Sequence, residues 1–584
     1  MDNTHNYNKL RLAGIILTVV ISFSVYYNTL GNGFVYDDHL QIEKNEWITS
    51  AKYLPEIFKN HVYGFKADLK VTSSYRPLLM VIYMAEYFFF GLKEWGWHLL
   101  NIILHSANGV AVFFLTASLL KKGSDGASPS AIIAPLFASA LFAAHPAHSE
   151  PVAWIACVPE LSYTLFYLLA FYFYINTGRG GIVLSAAFYF LALLCKETAI
   201  TFPAVAFIYD YSVRREGVGR HLKRYIVLSA VVLVYFAIRF AVLGGVKPGP
   251  GMHPYLDTIL LSINIPVFFL DYIYALVWPV KFYPFRVFTP VLSFFEIKAL
   301  VSVFFILITA GLIFRFRKVL NPLVIFTVIF FCITILPALY IPALSQNPFA
   351  ERQAYLPSAG FFILIGAVAY YLMKKAPRWT AAALAALLIV TALYSWGTVK
   401  RNFEWSDDLS IWSASARAEE GNYLAMHNIG VEYGIMGRVD EAAHEYRESI
   451  KANSLRRFPD KVTLVLSHMH LARIYRQKGM RSDAVREFKE AAVIKPDYAE
   501  AYYNIALTYQ EMGLCDEALD FYNQALSFPW RRQDLKDIYS NMGSCFARKG
   551  LYSEAVLSLE EALRIAPGDP AVINNLSLIR KMAD

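Results

Sequence analysis

Long apolar runs alternate with short polar stretches through the first 400 residues of the chain. An α-helix needs about 20 mainly apolar residues to cross the hydrocarbon core of a bilayer. Runs that reach or approach this length lie at 11–30, 97–120, 131–147, 160–176, 182–195, 198–211, 225–243, 296–314, 321–341, 355–373 and 379–398. Two further runs, at 77–92 and 257–278, compete with them. The pattern predicts an all-α membrane domain of about 11, and up to 13, helices in residues 1–400.

The basic residues between the apolar runs indicate on which side of the membrane each loop lies. Cytoplasmic loops of membrane proteins carry an excess of Lys and Arg. With eleven spans, the basic stretches 214–224, 315–318 and 374–378 all lie on the same side as the N-terminus, which is therefore predicted to be cytoplasmic. Counting 77–92 as a span would break this pattern. We therefore interpret 77–92 as a juxtamembrane helix and 257–278 as re-entrant or tilted.

The remaining polar clusters all emerge on the opposite, outer side in this topology. They are Asp37-Asp38, HPAHSEP (145–151), CKET (195–198), GGVKPGPGMHP (244–254) and NPFAERQAYLPS (347–358). Ionisable groups near membrane depth are costly and usually functional. Their convergence on one side predicts a single site there.

Residues 401–584 have an ordinary charged composition and an internal repeat. The glycines that anchor the repeat are Gly437, Gly479, Gly513 and Gly550. The second and third of these are 34 residues apart, which is the period of the tetratricopeptide repeat (TPR). This segment is predicted to be a TPR α-solenoid, whose curved groove typically holds a peptide or a partner protein. It is expected on the outer side, where the last span ends.

Composition supports a membrane protein and excludes several other classes. Charged residues make up 17% of the 584 residues, below the quarter that is usual in soluble domains. The net charge of +8 comes largely from loops that orient the spans, so no nucleic-acid partner is predicted. The five cysteines show no CxxC spacing, so neither a zinc site nor a disulfide framework is predicted. The absence of a Walker loop or dinucleotide fingerprint disfavours a cytosolic nucleotide donor.

Two adjacent carboxylates, Asp37 and Asp38 in NGFVYDDHLQI, follow the first apolar run directly. They fit three interpretations: a solvated loop, a helix cap, or the base of an active site. The second is open because Asp is a favoured N-cap residue. A positioned carboxylate can take the proton from an attacking hydroxyl. The other outer clusters favour this last interpretation, and the alternating direction of neighbouring side chains predicts different roles for the two residues.

The motifs together resemble the transmembrane-and-TPR-containing family of protein O-mannosyltransferases, and more broadly the GT-C glycosyltransferases that use polyprenyl-phosphate sugars. The resemblance rests on FVYDDH (34–39), SYRPLL (74–79), HPAHSEPVAWIACVPELSYTLFYLLAFYFY (145–174), CKETAI (195–200), AERQAYLPSAGF (350–361) and the repeats. It implies a GT-C-like membrane domain that takes a sugar, with mannose favoured, from a lipid-phosphate carrier on the outer leaflet. It also implies that Asp37 is the catalytic base and that Asp38 assists.

A departing lipid phosphate needs cations or N–H donors, because negative charge develops on it. Arg352 is the first candidate, because a guanidinium matches phosphate geometry with two hydrogen bonds. Lys196 and Arg76 are the next two. Each cation also has an alternative role that does not involve phosphate. Arg352 could form an ion pair with Glu351, Lys196 could form one with Glu197, and Arg76 could extend to the membrane interface.

Polar groups around the same motifs are candidates for binding the sugar or the acceptor. The predicted set is His145, His148, Glu150, Glu197 and Glu351. The spacing of the histidines and Glu150 suits a metal only on a regular helix, which the prolines within the motif disfavour. No metal ligand and no cofactor is therefore assigned, although a divalent cation stays open.

The predicted function is an inverting sugar transfer in which Asp37 deprotonates a Ser/Thr hydroxyl held by the TPR groove. The expected partners are a polyprenyl-phosphate-linked sugar, a protein or peptide acceptor and the lipid bilayer. Two alternatives stay open: a glycan or lipid acceptor with the TPR docking a partner, or a non-catalytic membrane-anchored TPR scaffold. Compact loops favour a bacterial inner membrane, with the TPR domain in the periplasm.

Overall fold

The computed structural model describes residues 2–66, 74–121, 130–176, 180–245, 256–280, 282, 284–341 and 348–583. All regular structure in these residues is helical. The chain divides into two compact units, Met1–Ala414 and Ser415–Asp584. The predicted fold class, an all-α membrane domain followed by a TPR solenoid, is confirmed.

The first unit consists of apolar helices joined by shorter helical turns. Its α-helices are α1 (Asp2–Tyr26), α2 (Leu54–Lys59), α3 (Pro77–Phe90), α4 (Glu94–Lys121), α5 (Ser130–Ala144), α6 (Ser149–Ala153), α7 (Val158–Asn176), α8 (Gly181–Cys195), α9 (Phe202–Tyr209), α10 (Val218–Leu243), α11 (Thr258–Val277), α12 (Ile297–Phe316), α13 (Pro322–Leu339), α14 (Tyr355–Lys375), α15 (Thr380–Asn402) and α16 (Asp408–Ala418).

Within the described residues, nine helices are long and apolar enough to cross a membrane. A tenth candidate arises if α5 and the turn that ends with α6 form one span, bent by 54°. The chain is therefore a multi-pass membrane protein. The count differs from the expected eleven because α5, α8 and α9 have only 15, 15 and 8 residues, whereas α11 meets the criterion with 20.

The predicted span at 198–211 is interrupted rather than absent. A 3₁₀ turn, Glu197–Thr201, precedes α9, and a π turn, Asp210–Arg214, follows it. Pro203 lies in the first turn of α9, where a proline without an N–H is tolerated. The chain from 197 to 214 is thus helical throughout, but its hydrogen-bonding pattern changes twice.

Small residues let the central helices of the bundle approach closely, as is usual inside membranes. A side chain on Gly366 of α14 would place its Cβ 2.7 Å from the carbonyl oxygen of Ala134 on α5. The hydroxyls of Thr18 on α1 and Ser139 on α5 are 2.8 Å apart. These contacts make α5 the centre on which α1 and α14 pack.

The second unit is a series of antiparallel helix pairs. Its α-helices are α17 (Tyr423–Ile435), α18 (Val439–Ser454), α19 (Lys461–Gln477), α20 (Arg481–Ile494), α21 (Ala499–Glu511), α22 (Cys515–Leu526), α23 (Arg532–Arg548), α24 (Tyr552–Ile565) and α25 (Pro570–Ala583). The four anchor glycines join the two helices of each pair with φ between 73° and 79°. This left-handed conformation is accessible to glycine without steric cost, which explains why the repeat requires that residue.

Candidate active site at the Asp37 loop

Residues 32–43, named the Asp37 loop, follow the first helix and are tied to the chain that follows α15. The side-chain amide of Asn32 donates to the carbonyl oxygens of Asn402 and Trp405, each at 3.1 Å. Asn402 is the last residue of α15. The loop and the C-terminal end of α15 therefore lie at the same end of the bundle.

Asp38 faces the protein interior and is fully buried. One carboxylate oxygen accepts from the backbone N–H of Val35 at 3.0 Å, and the other accepts from that of Ala156 at 2.8 Å. Burial raises the pKa of Asp38 well above its usual value, although the two amides oppose the shift. Asp38 thus joins the loop to the turn before α7.

Asp37 is only half-buried and is oriented differently from its neighbour. The side-chain amide of Gln41 donates to a carboxylate oxygen of Asp37 at 3.5 Å. Burial raises the pKa of Asp37, while the positive charge of Arg352 and the Gln41 hydrogen bond lower it. Because a carboxylate with a raised pKa is a better proton acceptor, Asp37 suits a general base.

Arg352 belongs to a cluster of alternating charges. Its Nη1 donates to one oxygen of Glu150, and its backbone N–H donates to the other at 2.9 Å. Its Nε lies 3.9 Å from Glu160 Oε1, the oxygen that Lys196 Nζ contacts at 2.7 Å. The guanidinium also lies 5.2 Å from the centre of the Trp154 ring. Arg352 is 20% exposed and Lys196 only 5%, so Arg352 is the more accessible cation.

Arg76 and Glu197 form a separate ion pair with two hydrogen bonds, at 2.8 and 3.0 Å. Both side chains are partly exposed. Burial raises the pKa of Glu197, but the charge and hydrogen bonds of Arg76 outweigh it and lower that pKa to about 2. The alternative pairing of Lys196 with Glu197 is wrong, because Lys196 pairs with Glu160.

Glu351 pairs with Arg401, so the alternative pair with the neighbouring Arg352 is also wrong. The guanidinium of Arg401 donates to both oxygens of Glu351, at 2.8 and 3.0 Å, and also to the carbonyl oxygen of Pro146. Both side chains are less than a tenth exposed. This arrangement joins α15 to the turns that precede α6 and α14.

The two histidines of the HPAHSEP motif are buried. His148 is hydrogen-bonded to the carbonyl oxygen of Phe142 at 2.8 Å and to the hydroxyl of Ser358 at 2.9 Å. His145 accepts from a backbone N–H two residues further along and lies 3.1 Å from the carbonyl oxygen of Leu276. Each ring nitrogen therefore has a protein partner, which favours a packing role over sugar binding.

The structure brings four of the five polar clusters that the sequence predicts on the outer side together at one end of the bundle. The fifth, 244–254, lies beyond residue 245 outside the described residues. In the described part of the chain, no group of three or more His, Cys, Asp or Glu side chains is arranged to hold a metal ion.

Sequence reasoning missed three participants. Glu160 lies in the apolar run 160–176, and a single carboxylate in such a run could have identified it as a candidate site residue. His39 follows the aspartate pair, and Asp408 lies 2.7 Å from its Nε2. Asp408 is far away in the sequence and in a charged segment, where no local pattern distinguishes it.

Two family models match the second unit. One described as "TPR repeat" matches residues 472–513, and one described as "Tetratricopeptide repeat" matches 499–528 and 537–569. Among solved structures, the crystal structure of MamA protein is 20% identical and matches 28% of this chain and 84% of its own, with a TM-score of 0.24. A crystal structure titled "YrrB: a TPR protein with an unusual peptide-binding site" is 16% identical and matches 31% of this chain and 86% of its own, with a TM-score of 0.25.

Named relatives align with both units. The mouse "Protein O-mannosyl-transferase TMTC3" is 24% identical over 97% of this chain and 65% of its own length. The human protein of the same name is 24% identical over 98% of this chain and 66% of its own. The Drosophila "Protein O-mannosyl-transferase Tmtc1" is 37% identical over 32% of this chain and 22% of its own. This chain therefore spans slightly less than two thirds of the mouse and human relatives. Over nearly its whole length it is homologous to the TMTC proteins named protein O-mannosyl-transferases, and the predicted resemblance to that family is confirmed.

Proposed function

We propose that this chain is an integral-membrane glycosyltransferase that moves a sugar, with mannose favoured, from a polyprenyl-phosphate carrier to a protein Ser/Thr hydroxyl. The supporting observation is that the half-buried Asp37 and the partly exposed Arg352 are joined by Trp154, whose ring centre lies 5.8 Å from that of Tyr36 and 5.2 Å from the Arg352 guanidinium. The names of the homologues support the same reaction class.

Asp37 is the general base of the proposed reaction. It takes the proton of the acceptor hydroxyl while the hydroxyl oxygen attacks the anomeric carbon of the sugar. The bond between that carbon and the phosphate oxygen breaks, the configuration inverts, and polyprenyl phosphate leaves. Asp38 assists indirectly, because its two backbone hydrogen bonds fix the loop that carries Asp37.

Arg352 stabilises the charge that develops on the departing phosphate. Glu150 accepts hydrogen bonds from the guanidinium and from the backbone N–H of Arg352. The Arg352 side chain is still 20% exposed. A preorganised cation costs no reorganisation during the reaction, which makes it effective in a site with little water. Lys196 supports it through Glu160, and Arg76 is a second, partly exposed cation for the same lipid phosphate.

Glu197 is the remaining carboxylate that we assign to the sugar and acceptor side. Glu197 is 32% exposed, and both of its oxygens accept from Arg76. Glu150 is only 1% exposed and both of its oxygens accept from Arg352, so it acts by holding that residue. Glu351, His145 and His148 shape the site from behind, since their polar atoms are already engaged.

The TPR unit recruits the protein acceptor in this proposal. A tethered groove raises the local concentration of the acceptor and reduces the entropic cost of each encounter. We place the site and the repeats outside the cytoplasm, with a cytoplasmic N-terminus and, for a bacterial protein, a periplasmic TPR unit.

The test is sugar transfer by the full-length protein in proteoliposomes, with a radiolabelled polyprenyl-phosphate mannose and a Ser/Thr-containing peptide. Asp37→Asn keeps the size of the side chain and removes the base, so transfer should fall by about 10² to 10⁴-fold. Glu46→Gln is the matched control, because Glu46 is an exposed carboxylate near the same loop.

Unchanged transfer by the Asp37→Asn protein would refute the assignment of Asp37. Transfer to lipid or free glycan, but not to peptide, would support the alternative acceptor. A wild-type protein that transfers no sugar from any polyprenyl-phosphate donor would favour the membrane-anchored scaffold.

A further inference from the structure

Tyr36, the residue directly before the proposed base, has an unusual backbone conformation. Its φ is 52°, and the only other non-glycine residue with positive φ in the described part of the chain is Arg215. A side chain with a Cβ is disfavoured in this left-handed region, so the surroundings must hold it there. Residues in such conformations cluster at functional sites.

Contacts from distant parts of the chain hold Tyr36. Its backbone N–H donates to Asp408 Oδ1 at 2.8 Å. Its ring packs against Phe285, Trp412 and Trp154, with ring centres 4.7, 5.7 and 5.8 Å away. Since the backbone bond and the ring contacts act on the same residue, the left-handed turn at Tyr36 is held from two directions.

The second oxygen of Asp408 holds the other side of the same turn. Asp408 Oδ2 lies 2.7 Å from Nε2 of His39, whose Nδ1 lies 2.5 Å from Glu43. One carboxylate therefore binds residue 36 and residue 39, and Asp37 lies between them.

Asp408 is free for this contact because its neighbour caps the helix. At the start of α16, Asp407 Oδ1 accepts from the backbone N–H of Ser410 at 2.8 Å, the hydrogen bond expected of an N-cap aspartate. The chain thus contains two aspartate pairs, 37–38 and 407–408, and the two members of each pair have different hydrogen-bond partners.

We propose that Asp408 is a positioning residue for the sugar transfer described above: by binding Tyr36 and His39 it fixes the direction of the Asp37 carboxylate. This inference rests on the proposed function. Asp408 itself contacts neither substrate; it acts through the backbone of the Asp37 loop. A catalytic group displaced by about 1 Å can lose about 10²-fold in rate, so the alignment of Asp37 is a sensitive quantity.

The test compares kcat and KM for radiolabelled polyprenyl-phosphate mannose among full-length variants, each normalised to folded protein. Asp408→Ala removes both contacts, so kcat should fall by about 10- to 100-fold with little change in donor KM. Asp408→Asn offers an oxygen to Tyr36 and an amide to His39, so it should recover most of the lost kcat. Asp407→Ala is the matched control and should keep the wild-type kcat.

A second pair of variants tests the backbone conformation. In the Asp408→Ala background, Tyr36→Gly should restore part of kcat, because glycine adopts positive φ without steric cost, whereas Tyr36→Ala should not. If Asp408→Ala does not fold, the same two substitutions are compared with Asp408 intact, where Tyr36→Gly should retain more kcat than Tyr36→Ala.

The inference is overturned if Asp408→Ala keeps the wild-type kcat, if Asp408→Asn is as impaired as Asp408→Ala, or if the glycine and alanine variants of Tyr36 are equal. If one of these results accompanies a strong loss in Asp37→Asn, the inference fails and the proposed function stands. Full activity of Asp37→Asn overturns both, because Asp408 then has no base to position.

Discussion

The buried ion pairs of the membrane unit differ in kind from the exposed ion pairs of the repeat unit. In the membrane unit, the pairs Lys196–Glu160 and Arg401–Glu351 join distant segments, and every side chain in them is less than a tenth exposed. In the repeat unit, the pair Arg438–Glu441 joins residues three apart at the start of α18, with nearly half of each side chain exposed. Burying a charge costs free energy that only a well-formed partner offsets.

This difference separates charges that organise a site from charges that keep a surface soluble. A buried pair fixes the positions of its helices, because loss of either partner leaves an uncompensated charge. An exposed pair gains little, since water and salt screen it. Substitutions in the two units should therefore have very different consequences.

The largest effect on stability is expected at Arg401. Arg401→Ala leaves Glu351 buried without its partner and removes a donor to the carbonyl oxygen of Pro146. The free energy of unfolding should fall by about 3–5 kcal/mol, measured by thermal unfolding in detergent micelles. The double variant Arg401→Met with Glu351→Leu removes both charges and should be less impaired; equal destabilisation would contradict the buried-pair argument.

Arg352 should have a large effect on catalysis. Because its partner Glu150 is only 1% exposed, transfer is normalised to folded protein. Arg352→Gln removes the accessible cation of the cluster, so transfer should fall by about 10²- to 10³-fold, the loss expected for one stabilising donor. Arg286→Gln is the control, because Arg286 is also partly exposed, at 31% against 20% for Arg352, and is paired with a carboxylate, Asp271, outside this cluster. Equal activity of the two variants would remove Arg352 from the proposed phosphate site.

The sequence predicted the helices and the repeats because both depend on local periodicity. Apolar runs define the spans, and the glycines of positive φ mark each turn between repeat helices. The predicted number of spans is higher than the nine or ten that the described residues contain, because α8 and the interrupted segment around α9 are shorter than the length needed to cross a membrane.

Ion-pair partners could not be predicted, because they depend on which helix ends meet. Glu351 lies beside Arg352 in the sequence, yet it pairs with Arg401 fifty residues away, and Arg352 pairs with Glu150. Alternating side-chain direction predicted different roles for Asp37 and Asp38, and the structure shows that one is half-buried and the other buried. The alternation could not identify the buried member, since that depends on the backbone N–H of Ala156.

In the repeat unit, the turn glycines should matter more than the charges. Gly479→Ala places a Cβ at φ 76°, with no atom within 4 Å to obstruct it, so the cost is one of backbone conformation alone. The free energy of unfolding should fall by about 1 kcal/mol. Gly434→Ala is the control, because Gly434 is within a helix and also has space for a Cβ. Equal destabilisation would show that the left-handed turn is not the cause.

Gln41 should shift the pH dependence of transfer without abolishing it. Its hydrogen bond lowers the pKa of Asp37, opposing the larger effect of burial. Gln41→Leu should therefore raise that pKa. Because the base works only when deprotonated, the acid limb of the pH profile of kcat/KM should move to higher pH, with little change well above it. A shift to lower pH would contradict the assignment of Asp37 as the titrating group.

The smallest effect is expected for the exposed pair of the repeat unit. Arg438→Ala removes hydrogen bonds to Glu441 three residues along the same helical turn, and both groups are in contact with water. No measurable change in unfolding temperature or transfer is expected, since such pairs are screened and their ordering costs side-chain entropy. Lys196→Met also removes one positive charge, but from the buried pair with Glu160, and should lower both the unfolding temperature and the rate of transfer. If the two substitutions had the same effect, burial would not be what distinguishes the charges of the two units.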